Sequence, residues 1–133
     1  METFEHLRRA DTVLLSTRRR DGSTVDTPVN VAVDPQGRGY FRTWSTAGKV
    51  KRLRNFPGVR VAPCSRTGRP QGSDQPATAT LLDDAESRLA RELLATRFPI
   101  VHRHLVPWLH RVQRRHTVYY RLVPGEEPTR WQG

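Results

Sequence analysis

Short runs of β-branched and aromatic residues, bounded by turn-forming residues, recur along the chain and predict strands. Thr12 to Thr17 (Thr-Val-Leu-Leu-Ser-Thr) is the first, and Asp21-Gly22 behind it marks a tight turn. Val25 to Val33 is the second, where Pro28 lacks an amide proton and so calls for an edge position or a bulge. Asp34-Pro-Gln-Gly37 turns the chain into a third strand, Gly39 to Trp44, and the three make an antiparallel meander with two hairpin connections. Val59 to Cys64, Ala77 to Leu82 and Thr117 to Val123 complete the set. Helical spacing is confined to shorter stretches. Thr3 to Ala10 carries Phe4 and Leu7 on one face, with Thr3 as a candidate N-cap. Asp83 or Asp84 caps a helix that runs through Arg97, with Ala85, Leu89, Leu93 and Leu94 facing inward. Pro99 ends that helix, and Ile100 to Arg111 is two short helical pieces or one helix kinked at Pro107. The pattern predicts a chain that is mainly β with short helices (α+β), arranged as a small six-stranded antiparallel β-barrel. One domain covers 1–124, and a loosely ordered tail rich in Pro and Glu covers 125–133.

The stretch from Tyr40 to Pro57 changes character twice. It begins as a strand, bends through Ser45-Thr46-Ala47-Gly48, and then becomes basic, with Lys49, Lys51, Arg52 and Arg54. Val50 and Leu53, three apart, give this segment one apolar helical face. The first amides of a helix have no intrahelical partner and the dipole there favours an anion. Hydroxyls, a glycine and lysines at such a start form a candidate phosphate cradle. A solvated basic face is the plainer reading of the same charges. Lys49 and Lys51 are the only lysines in a chain whose other fixed cations are all arginine, which favours the cradle.

With 133 residues the chain suffices for one modest core, and its net charge of +10 points to an anionic partner. Nucleic acid, an acidic surface and a phosphorylated or polycarboxylate small molecule all satisfy that charge. The single cysteine, Cys64, excludes an internal disulfide. No apolar run is long enough to span a bilayer, and Met1 to Arg9 has no signal-peptide core, so a soluble cytoplasmic protein is expected.

Side chains for covalent or metal catalysis are hard to find. His6, His102, His104, His110 and His116 form no metal-like set with Cys or carboxylates. Cys64, behind Pro63 at a strand end, reads as a small buried apolar residue. No Ser–His–Asp or Cys–His layout is visible, and Asp83-Asp84 serve a helix start. The run Arg103 to Arg115 with Trp108 could stack on nucleobases. Leu105, Trp108, Leu109 and Val112 fit a helical packing face better.

Taken in order, several segments resemble the pyridoxamine-phosphate-oxidase-like split β-barrel proteins. They are Leu14 to Thr17 with Asp21-Gly22, Thr27-Pro28-Val29 with Val31 to Asp34, and Tyr40 to Thr43. Gly48 to Asn55, Val59 to Cys64 with Arg66 and Gly68, and Val118-Tyr119-Tyr120 follow. More narrowly, the chain resembles the actinobacterial group of deazaflavin (coenzyme F420)-dependent oxidoreductases. The resemblance implies a flavin-reductase-like split barrel and a homodimer with cofactor sites at the subunit interface. It implies F420, or flavin mononucleotide (FMN) as the alternative, held by Asn30, Thr43, Trp44, Ser45, Gly48, Lys49, Lys51 and Arg52. Lys49 would meet the phosphate; Lys51 and Arg52 would meet the phosphate or tail carboxylates. Asn30 departs from the aromatic residue often found in that part of the group's second strand. The activity implied is hydride transfer between the deazaflavin and an unsaturated organic substrate, with no catalytic side chain required because the cofactor carries the chemistry. A non-enzymatic anion or nucleic-acid binder on a small barrel is the alternative of another class.

Overall fold

A computed structural model describes residues 3–10, 12–99 and 117–125. Strand β1 (Thr12–Arg18) and strand β2 (Thr24–Val29) form a hairpin around Asp21 and Gly22. Gly22 sits at φ 92°, a left-handed conformation that suits glycine, and the Asp21 carboxylate accepts the Ser23 amide at 3.0 Å. Strand β3 (Ala32–Val33) and strand β4 (Gly39–Trp44) form a second hairpin. Helix α1 (Gly48–Asn55), strands β5 (Gly58–Cys64) and β6 (Gln75–Leu81), helix α2 (Asp84–Arg97) and strand β7 (Thr117–Pro124) follow. Among the described residues the strands build one seven-stranded sheet in the order β2-β1-β5-β6-β7-β4-β3, antiparallel at every pairing.

This differs from the expected six strands at one place. The segment Val25 to Val33 is divided at Asn30 and Val31: its first half pairs with β1 and its second with β4. The expected meander therefore does not form, because β4 pairs with β7 and β3 and not with β2. The division also shapes the sheet. β2 and β3 are its two opposite edges, yet only two residues separate them, so the sheet must curl until those edges lie close. Pro28 sits on an edge strand, where its missing amide proton removes no ladder bond.

Alternation along the strands sorts side chains into two cores. In β4 and β7, Phe41 and Tyr120 enter the inner core with Val13, Leu15, Val59 and Val61. Their rings stack at 5.3 Å between centroids. Tyr40 and Tyr119, one residue earlier in each strand, face outward and are covered by α2 through Ala90 and Leu94. Within α2 the inward residues are thus Ala90 and Leu94, with Leu93 partly buried against the same core; Ala85 and Leu89, expected inside, are exposed. The N-cap is Asp83, whose carboxylate accepts the Glu86 amide at 2.8 Å.

The expected helix from Thr3 to Ala10 is a single 3-10 turn, Glu5–Leu7, with Phe4 and Leu7 fully buried against the inner core. Thr3 acts one position early, its hydroxyl accepting the Glu5 amide at 3.3 Å. The predicted helical segment 100–111, the arginine-rich run and the tail from 126 onward lie outside the described residues. No helix among those described is long and apolar enough to cross a membrane.

Candidate functional site

Helix α1 organises the candidate site. Val50 and Leu53 anchor it to the inner core, leaving two other faces free. It begins at Gly48 with no side-chain cap and no acidic residue in its first turn. Its leading amides therefore retain their preference for an anion.

On one face Lys49 reaches a cleft of about 280 Å³. The cleft is lined by Asn30 at the strand break, Arg42, Thr43 and Trp44 at the end of β4, Thr117 at the start of β7, and Leu94 and Phe98 of the α2 region. Lys49 is half-buried, and its ammonium donates to the Thr43 hydroxyl at 3.3 Å. No salt bridge among the described residues involves it. Burial holds its pKa below the usual lysine value, and the nearby Arg52 charge lowers it further. Burial also lowers the pKa of Arg42, opposed by Tyr119. One wall of the cleft is apolar and aromatic while two desolvated cations face it, a donor set suited to a flat conjugated ligand bearing an anionic group.

The other face of α1 presents Gly48, Lys51, Arg52 and Asn55 at helical spacing. These line a basin of about 290 Å³ with Arg18, Arg19 and Arg20 from the β1–β2 hairpin. Arg52 is fixed there, its Nε donating to the hydroxyl of fully buried Thr17 at 2.6 Å.

The eight residues expected to contact a cofactor are thus divided. Asn30, Thr43, Trp44 and Lys49 share the cleft, whereas Gly48, Lys51 and Arg52 share the basin. Ser45 is half-buried and lines neither. Sequence reasoning did not select Arg42, Leu94, Phe98 or Thr117. The period-2 rule argues against Arg42 and Thr43 reaching one space, and only tertiary packing brings α2 over the end of β4.

No family model and no curated protein matches the chain. Solved structures do. The heme storage protein HutZ of Vibrio cholerae superposes with a TM-score of 0.69 at 16% identity, covering 94% of this chain and 92% of that one. A candidate pyridoxamine 5'-phosphate oxidase of Listeria innocua gives 0.61 at 16% identity, covering 90% and 88%. An FAD-binding protein of Mesorhizobium loti gives 0.59 at 17% identity, covering 90% and 85%. The chain also spans about half, 51%, of a longer Agrobacterium tumefaciens protein of unknown function, with a TM-score of 0.71 at 19% identity. The chain accordingly shares the split-barrel fold of these proteins, among which are a heme storage protein, a candidate pyridoxamine 5'-phosphate oxidase and an FAD-binding protein.

Proposed function

We propose that this protein is an oxidoreductase that binds coenzyme F420 in the Lys49 cleft, with FMN as the alternative ligand. The observation that carries the proposal is the half-buried Lys49, unpaired with any described carboxylate, beside Trp44 and the apolar wall. Such a cation is costly until an anion joins it. The FAD-binding neighbour is consistent with a flavin-like ring on this scaffold.

When bound, the cofactor supplies hydride chemistry. The chain supplies its setting. Lys49 holds the phosphoryl oxygen, and Thr43 orients the ammonium by accepting one of its protons. Trp44, Leu94 and Phe98 present apolar surface to the ring and keep water from it. Asn30, at the strand break, offers a short polar side chain where a larger ring would narrow the opening. Arg42 adds a second cation that favours an acidic or carbonyl-bearing substrate. A homodimer completes each cleft with residues of the second subunit.

A fluorescence titration of the purified protein tests this reading, with F420, FMN, FAD, hemin and a single-stranded oligonucleotide as ligands. Saturable F420 or FMN binding that weakens in Lys49→Ala supports it. Oligonucleotide binding without any binding of F420 or FMN removes it.

A further inference from the structure

We infer that the arginine basin behind α1 is a second, separate binding site for a multiply charged phosphate. The inference goes beyond the cofactor reading and does not depend on it.

Five cationic side chains from two elements converge on the basin: Arg18, Arg19 and Arg20 of the hairpin, and Lys51 and Arg52 of α1. No carboxylate belongs to its lining. Asp21, the acidic residue next in sequence, is already engaged by the amide and hydroxyl of Ser23. Like charges placed together without counter-charge repel, and the effect is visible at Arg52: burial lowers its pKa, and Arg19 lowers it further. A solvated hairpin could let its arginines diverge. Here two are tied back. Arg18 lies over the Phe56 ring at 5.2 Å, and Arg19 Nη1 donates to the Ser23 hydroxyl at 3.2 Å.

Arg52 is the floor of the site. Its guanidinium folds back over the first turn of α1, anchored by Thr17. Gly48 makes that path possible, since a Cβ there would lie 2.9 Å from Arg52 Nη1. The start of α1 carries no side-chain cap and no acidic residue, so its dipole adds to the same positive field. The space of about 290 Å³ equals that of roughly ten liquid waters, room for more than one phosphoryl group. Guanidinium forks match the paired oxygens of phosphate, so a diphosphate or a phosphate ester is the class that fits. The basin and the Lys49 cleft lie on different faces of α1 and share no lining residue, so they are two distinct spaces.

Isothermal titration of the whole protein with inorganic pyrophosphate tests the inference. The comparison is a double variant, Arg19→Ala with Arg20→Ala, both exposed hairpin residues outside the proposed cofactor machinery. The expected result is saturable pyrophosphate binding that falls by about tenfold or more in the variant, while F420 or FMN affinity and the thermal midpoint stay unchanged. Lys49→Ala should leave pyrophosphate binding intact. The inference is overturned by no pyrophosphate binding by the wild type, by equal binding by the hairpin variant, or by loss of pyrophosphate binding in Lys49→Ala. A hairpin variant that loses cofactor and pyrophosphate alike makes the basin an extension of the cofactor cleft and equally refutes a separate site. Because pyrophosphate is measured without cofactor, failure here leaves the cofactor reading standing.

Discussion

An ammonium taken out of water and held by one threonine hydroxyl gains most from an incoming anion. Replacing Lys49 by Ala should therefore weaken F420 or FMN binding by about 1.5–3 kcal/mol, the range for a hydrogen bond to a charged group. The titration described above reads it directly, and unchanged affinity would contradict the role given to Lys49. Its pKa adds a second expectation. Because burial lowers it from the usual 10.5, the free protein sheds this proton before that pH is reached. Cofactor affinity should start to fall below pH 10.5 on the alkaline side and should lose that dependence in Lys49→Ala.

Asp34 behaves oppositely. Burial pushes its carboxyl up, but the Arg38 amide, the Tyr40 hydroxyl and the Arg38 guanidinium together hold it below the usual 3.8. The stability it confers is present above pH 3.8 and is lost as pH falls through the folded-state value. Asp34→Asn should cost about 1.5–3 kcal/mol near neutrality in urea unfolding. The gap should narrow in acid, where the wild-type carboxyl also becomes neutral. At this scale the sequence was informative about Lys49, marked by lysine's rarity, and about Asp34 as a turn residue. It was silent on Arg42, whose burial beside Tyr119 depends on neighbours distant in sequence.

Among the elements, α2 ties the outer core to the cleft. Leu94 is buried against Tyr40 and Tyr119 and also lines the Lys49 cleft. Leu94→Ala should lower unfolding free energy by about 2–5 kcal/mol and weaken cofactor binding as well. Leu89→Ala, on the exposed side of the same helix, should change neither by more than about 0.5 kcal/mol. Chemical denaturation of both variants checks the contrast. Helix α1 was legible because its apolar pair and basic residues separate cleanly by helical spacing. The inward face of α2 is legible at Leu93 and Leu94 but not at Ala85 and Leu89, because apolar residues on a helix do not show which of them the sheet covers. Ala90, small and unremarkable in sequence, is the residue with no exposed surface. The division of Val25 to Val33 was hidden for a related reason: a strand that changes partners midway keeps its β-favouring composition throughout.

For the whole molecule, the net charge of +10 should act on capture more than on contact energy. Association of an acidic cofactor should slow markedly between low and physiological salt, as the Debye length shortens from about 30 Å at 0.01 M to about 8 Å at 0.15 M. Stopped-flow rates at several ionic strengths measure this, and salt-independent rates would argue against electrostatic steering. Sedimentation should give twice the chain mass if the proposed homodimer forms.

The link at Asn30 and Val31 has one more bearing on how the molecule lives in solution. Opposite rims of a strand array ordinarily offer raw backbone to any neighbour. Here a two-residue tether clasps them like the ends of a bracelet. Splicing a few glycines into that clasp would let the band spring ajar, and the penalty would show as clumping of chains well before any loss of helix.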